Sequence, residues 1–344
     1  MGDVPSDAHS SDPVMDGLEA ESVVSWPDAA AATAIEIARR EQAAADAAAA
    51  YAAGVRTPFA CPHDHAELRL VGQALRCANG HSFDRAKEGH ANLILPGQRS
   101  SKDPGDSREM VAARRAFLAT GAYAPLADAV SRLVPDLRSG TGKTFAPYRV
   151  VESGCGEGYY LDHLARSAVA GGWAGGLDLA GIDISKWALR AAIKRPAVPG
   201  ATIGWAIANA RYLPFAPESV DLILCLFGFP IWEGFRGVQA PGQHVILADP
   251  GPDHLIELRR LIYPEVRTSS LPTLRPATAL GYRFEDQRHV RFEARLPSAI
   301  AVQNLVAMTP HAFRLSRDGH ARLTAIDQLT VTVDVVLRRL VLGG

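Results

Sequence analysis

Val150-Val151-Glu152-Ser153-Gly154-Cys155-Gly156-Glu157-Gly158-Tyr159-Tyr160 joins an apolar run, an acid, three alternating glycines and the start of a helical pattern. Residues 148–151 predict a buried strand, and 161–168 predict a helix. Glycines 154, 156 and 158 let the backbone turn tightly and let a ligand approach bare main chain. The helix N-terminus behind them offers unpaired N–H groups. Strand, glycine turn and helix together make a nucleotide-sized pocket.

A dinucleotide fingerprint spaces its glycines G-x-G-x-x-G, so that a pyrophosphate sits on the helix dipole. Here the order is E-x-G-x-G-x-G. The carboxylate of Glu152 repels a pyrophosphate but suits a cation, such as the amino-acid end of S-adenosylmethionine. Asp183 lies 25 residues past Gly158 at a second strand end, near the spacing expected of a ribose-binding acid. A third element, Asn209-Ala210-Arg211-Tyr212-Leu213-Pro214-Phe215, precedes the strand expected at 220–226 and is placed to face an adenine. These three in order favour S-adenosylmethionine; the bland alternative is a doubly wound domain whose glycines only turn the chain.

At 344 residues the chain suits one large or two small domains, and its hydrophobic share of 47% is globular. It has no apolar run of membrane-helix length and no secretion signal. Four cysteines point to a reducing, cytoplasmic setting and not to a disulfide framework. The net charge of −1 hides an asymmetry: residues 1–55 hold ten acids and two bases, leaving 34 bases against 27 acids in 56–344. A basic body is compatible with a polyanionic partner.

Residues 1–28, with seven acids and no Lys or Arg, read as disordered. The alanine-rich 29–53 reads as a helix with almost no apolar face, so 1–55 is an acidic and alanine-rich leader. Residues 56–98 form a compact unit. In 99–145, a helical linker region, Met110, Ala113, Phe117 and Leu118 recur at helical spacing and Pro125 opens a second helix; 139–144 is a linker. From 146 to 344 strands and helices alternate: strand 178–184, helix 185–195, strands 202–207 and 220–226, helix 232–238, strand 244–248, helix 252–263. That order predicts a mostly parallel sheet covered on both faces. Residues 265–276 read as a flexible loop. Strands 289–296 and 329–337, with a helix at 298–307 between them, are expected to pair antiparallel at one edge.

Cys61-Pro62-His63-Asp64-His65 and Cys77-Ala78-Asn79-Gly80-His81 make two knuckle-like turns. Zinc needs four N, S or O donors in a tetrahedron, and C-x₃-H supplies two. In the first turn Cys61 is one donor, with Asp64, His65 or His63 open as the other. So short a unit has little core without a staple; the alternative is a plain hairpin.

The combination Cys77…His81-Ser82-Phe83-Asp84-Arg85-Ala86-Lys87-Glu88-Gly89, Ser101-Lys102-Asp103-Pro104-Gly105-Asp106, Arg114-Arg115-Ala116-Phe117-Leu118 and Gly154-Cys155-Gly156-Glu157-Gly158-Tyr159-Tyr160 resembles the RlmA/TlrB family. Those are bacterial 23S ribosomal RNA guanine-N1 methyltransferases. Asp249-Pro250-Gly251-Pro252-Asp253-His254-Leu255, Leu261-Ile262-Tyr263-Pro264-Glu265-Val266 and Met308-Thr309-Pro310 match it too, so the similarity spans 58–342.

The resemblance implies an α/β, Rossmann-like class I methyltransferase domain preceded by a small zinc-finger domain and a helical linker. It implies a homodimer acting on a domain II hairpin of 23S rRNA, or on a pre-ribosomal particle, near the exit tunnel. Some members confer resistance to tylosin-like macrolides. By motif, zinc ligation falls on Cys61, Cys77 and His81, and cofactor contacts on Gly156, Glu157, Tyr123 and His254. The family's usual C-x₂-C has Asp64 at its second position here, leaving a Cys₂-His-Asp site, a switch to His65, or a weakened or absent metal. Other departures are Glu152 for aspartate, Ser153 for an aliphatic residue, Ala240-Pro241-Gly242-Gln243 for K-P-G-G, and Leu226-Phe227-Gly228-Phe229-Pro230 for I-Y-A-P.

Guanine N1 must lose a proton as a methyl arrives, and a carboxylate or neutral imidazole can take it. Glu157 and His254 are the candidates near the cofactor. Arg99, Lys102, Arg108, Arg114 and Arg115 are candidate phosphate contacts. Competing functions are a small-molecule methyltransferase and a non-catalytic RNA-binding protein that keeps the cofactor fold.

Overall fold

A computed structural model describes residues 29–98, 104–140, 147–266 and 270–344. The stretch 1–28, Arg99, Lys102 and the linker residues 141–144 lie outside the described residues. The chain divides into two compact units between Ala47 and Ala48, within helix α1 (Ala29–Ala53). In the first unit the described part is helix alone, with i,i+4 contacts from Arg40 to Glu36 at 3.0 Å and from Gln42 to Asp46 at 2.8 Å. Alanine propensity supplies this helix.

The second unit opens with β1 (Val55–Ala60), β2 (Glu67–Val71), β3 (Ala74–Arg76) and β4 (Ser82–Asp84), an antiparallel sheet in chain order. Then come β5 (Ala91–Asn92), α2 (Arg108–Leu118), α3 (Ala124–Gly140), β6 (Tyr148–Ser153), α4 (Tyr159–Ala170), β7 (Leu177–Asp183), α5 (Lys186–Ile193), β8 (Ile203–Ile207) and β9 (Leu222–Leu226). The chain continues with α6 (Trp232–Val238), β10 (His244–Pro250), α7 (Ile256–Ile262), α8 (Arg275–Ala279), β11 (Tyr282–Leu296), α9 (Ala299–Ala307), a 3₁₀ turn (Pro310–Arg314), α10 (Arg317–Thr324) and β12 (Leu329–Leu342). The large sheet runs β11-β12-β10-β9-β6-β7-β8-β5. It is parallel from β5 to β10, and β12 and β11 add antiparallel at one edge, as the alternating pattern predicts.

Neighbouring residues of β6 separate the two faces. Val150 packs with Leu126, Leu161, Leu164 and Leu189 on the side of α3, α4 and α5. Val151 packs on the other side with Phe235, Trp232 and Ala277 from α6 and α8. A strand buried on both sides reads as continuously apolar, which is why 148–151 is legible. Phe59, Cys61, Leu68, Leu75 and Cys77 of the small sheet belong to this second core, and the Phe59 and Phe215 rings lie 5.7 Å apart. The amide of Ala60 donates to the carbonyl of Pro214 at 2.8 Å. The small sheet and the large one therefore share apolar surface.

Three elements differ from the sequence expectation. The helix expected at 252–263 is only α7, because Gly251 and Pro252 turn the chain against Asp334 and Leu255 takes a left-handed φ of +55°. Strand β11 starts at Tyr282, not at 289; its exposed edge residues Glu285, Gln287 and Arg288 suit an edge strand but erase the apolar signal. The loop expected at 265–276 gives way to α8 at Arg275.

Candidate functional site

The glycine turn sits at the carboxyl end of β6, where an open parallel sheet places its crevice. Gly154 and Gly156 have φ of +76° and +54°. A Cβ at Gly154 would meet nothing within 4 Å, and one at Gly156 would meet only Arg114, at 3.4 Å. The left-handed backbone, not crowding, requires glycine there. Gly158 differs: its Cβ would stand 2.6 Å from Cη2 of Trp205. It seats the start of α4 against that indole.

A cavity of about 870 Å³ lies over the turn. Tyr123, Glu152, Gly154, Gly156, Glu157, Asp183 and His254 line it. Gly158 and Asn209 do not; the Asn209 side-chain amide donates to the carbonyl of Gln98 at 2.9 Å. Met110 and Arg114 of α2 close one side, and Arg114 pairs with Asp106 and donates to Met308 O at 3.3 Å.

The acids of the cavity differ in their commitments. Burial, then the nearby Glu157 and Asp183, push the Glu152 carboxyl well above the usual carboxylate range, and its Oε2 has no hydrogen-bond partner among the described residues. Glu157 is raised by burial, against the pull of Arg195, with which it pairs. Asp183 is also raised by burial; its two oxygens accept from the amides of Gly156 at 2.9 Å and Ser185 at 2.8 Å. A buried carboxyl with one oxygen unpartnered, beside left-handed glycines, fits a ligand that brings N–H donors and positive charge, as S-adenosylmethionine does.

His254 is clamped at both nitrogens. Its Nδ1 accepts from the Asp334 amide at 3.3 Å, so the proton sits on Nε2, which lies 3.3 Å from the Tyr123 hydroxyl. Burial lowers this imidazole to about 4, so it is neutral at physiological pH.

Ligand atoms of Cys61, Asp64, Cys77 and His81 lie within 4.8 Å of one another. His81 Nδ1 is 3.5 Å from the Cys61 sulfur, 3.4 Å from that of Cys77 and 2.9 Å from Asp64 Oδ2. Asp64 Oδ1 accepts from the Ala66 amide, and Asn79 donates to Oδ2. Two sulfurs, an imidazole nitrogen and a carboxylate oxygen so spaced suit tetrahedral zinc. Burial pushes the Cys61 thiol up to about 12, and a bound divalent cation would supply the charge that makes it a thiolate. His65 lies outside the cluster, with a φ of +60° and its amide on the Cys61 carbonyl.

Comparison with known proteins is in keeping with this geometry. The RlmA N-terminal family model matches residues 59–102, and a methyltransferase-domain model matches 150–240. The 23S rRNA (guanine(748)-N(1))-methyltransferase of Streptomyces fradiae is 34% identical over 285 residues, 81% of this chain and 95% of that protein. The chain belongs to the RlmA/TlrB family. A putative 23S rRNA (guanine-N(1)-)-methyltransferase of Micromonospora griseorubida is 35% identical over 78% of this chain and 90% of its own length. The putative 23S rRNA (guanine-N(1)-)-methyltransferase YxjB of Bacillus subtilis is 27% identical over 80% and 94%. This family member is an S-adenosylmethionine-dependent methyltransferase with an N-terminal unit of the zinc-ribbon type, and the four-residue cluster in that unit has the donor set that zinc takes.

Sequence reading of the motifs passed over Phe227, Phe229, Glu265 and Phe313, all of which line the cavity. Glu265 stood inside a matching motif, Y-P-E-V, which marked it without a role. Phe227 and Phe229 stood in the segment that departs from I-Y-A-P, and nothing in the local sequence sets these phenylalanines or Phe313 apart from the core. Only their exposure in the fold separates them from it.

Proposed function

We propose that this methyltransferase acts on N1 of a guanine in 23S ribosomal RNA, free or in a pre-ribosomal particle, in the cytoplasm. The observation that carries the reading is the match, over 81% of the chain, to a protein named for that reaction. The open cavity over the glycine turn supports it. The working division is a zinc-binding unit at 56–98, helices at 99–145 and the transfer domain at 146–344. A described chain with no helix long and apolar enough to cross a membrane is compatible with that setting.

When bound, S-adenosylmethionine supplies an electrophilic methyl group on sulfur. Glu152 would hold its cationic amino-acid end, Arg114 beside Gly156 its carboxylate, and Asp183 its ribose hydroxyls. His254 has no lone pair to spare for the N1 proton, since Nδ1 is occupied and Nε2 carries hydrogen; its part is to hold Tyr123. Glu157 is held by Arg195. Glu265, at the rim, has no ion pair among the described residues, and we assign it the proton from N1.

Primer extension on 23S rRNA tests this, because N1-methylguanine blocks reverse transcriptase. A stop is expected with enzyme and S-adenosylmethionine, reduced at least tenfold in rate by Glu265→Gln. No stop with the folded wild-type protein ends the reading. A Glu265→Gln enzyme at the wild-type rate removes only the proton assignment.

A further inference from the structure

The described residues include few large apolar side chains exposed to solvent, and three of them line one cavity: Phe227 (38% exposed), Phe229 (91%) and Phe313 (76%). Phe227 and Phe229 follow β9 on one wall; Phe313 sits on the 3₁₀ turn after α9. Both supports are fixed. Phe227 has a left-handed φ of +57°, costly for an aromatic residue, and its amide donates to Ala248 O at 2.9 Å. That backbone turns its ring to 5.8 Å from His254 and 6.3 Å from Tyr123, at the inner end of the cavity. Pro230 restrains the backbone of Phe229. On the other wall His311 bonds the Tyr263 hydroxyl at 2.9 Å and holds the 3₁₀ turn.

Leaving Phe229 and Phe313 in water forgoes the stabilisation their burial would give. Aromatic rings held out on rigid backbone beside a cofactor pocket suit a flat partner that arrives from solvent. Guanine N1 is hidden in a duplex, so its enzyme must take a base out of the stack and hold it between apolar faces. We propose that Phe229 and Phe313 are the two jaws of a stacking clamp for the extruded guanine, with Phe227 as the floor that sets its depth against the cofactor. The exposed guanidinium of Arg314, next to Phe313 and lining the same cavity, is placed for the phosphate of that nucleotide. The clamp rests on the reading of the enzyme as an rRNA guanine methyltransferase.

The test uses full-length Phe229→Ala and Phe313→Ala, with Phe229→Trp and Phe229→Leu as controls. Calorimetric affinity for S-adenosylmethionine reports whether the cofactor pocket stays folded, and is expected to be unchanged. Methylation of 23S rRNA transcript is expected to fall roughly ten- to hundredfold in kcat/KM for each alanine variant. Overall RNA affinity should change little, because phosphate contacts dominate it. Tryptophan should restore the rate and leucine should not. Alanine variants at the wild-type rate, or leucine rescuing as well as tryptophan, overturn the clamp alone. A wild-type enzyme that leaves no N1-methyl product overturns the parent reading and the clamp with it.

Discussion

His254 shows how one residue's surroundings decide between two chemistries that sequence leaves equal. An imidazole near a methyl donor invites a base assignment, yet both nitrogens here are bound and burial keeps the ring neutral. Its folded-state pKa, about 4, lies below the ordinary value near 6.5. The unfolded chain therefore binds the proton more tightly, and stability rises with pH between those values. The contribution is complete above about pH 6.5 and lost as pH falls towards 4, up to about 3 kcal/mol. Urea unfolding at pH 7.5 and 5.0 should show this loss in wild type and a smaller one in His254→Asn. Equal losses would mean that this ring does not set the acid sensitivity. Glu152 teaches the same lesson with a carboxyl: its place before the glycines is plain in sequence, but the unpartnered state of its Oε2 is a property of the folded cavity.

The glycine turn splits into two kinds of position at the level of the β6–α4 element. Gly154 has the left-handed backbone with open space beside it; Gly158 has the same backbone with Trp205 pressed against it. Gly154→Ala should cost about 1–2 kcal/mol of stability from φ alone while weakening cofactor binding. Gly158→Ala adds overpacking, for about 2–4 kcal/mol in total. Denaturation midpoints and calorimetry on the two variants separate the roles; equal destabilisation would deny that Trp205 makes the difference. The sequence pattern marks these glycines as one motif, since spacing carries no information about what a distant strand lays over each. Boundaries blur for a related reason in β11, where edge residues face water and leave no apolar alternation to read.

In the whole molecule, the zinc unit is not a bead on a string. Phe59, Leu68 and Leu75 share a core with Phe215 and Phe235, and β5 (Ala91–Asn92) adds to the large sheet beside β8. Metal loss should therefore be felt beyond the small sheet. Cys77→Ala is expected to lose its zinc by elemental analysis and to melt several degrees below wild type, with cofactor affinity retained. An unchanged melting temperature in the metal-free variant would show that the shared apolar core alone holds the unit. Asp64→Cys, which restores a second thiolate to the first knuckle, should slow zinc loss to a chelator. The amino-acid order by itself determined the parallel sheet, the glycine turn, the cofactor class and three of the four members of the Cys61, Asp64, Cys77 and His81 cluster, because each rests on local spacing or on a run of apolar residues. Tertiary structure alone set Asp64 and not His65 beside Cys61, Cys77 and His81, occupied both nitrogens of His254, and brought Phe227, Phe229, Glu265 and Phe313 to one cavity. Those outcomes depend on which residues far apart in the chain come to share a cavity, and spacing along a chain cannot encode that.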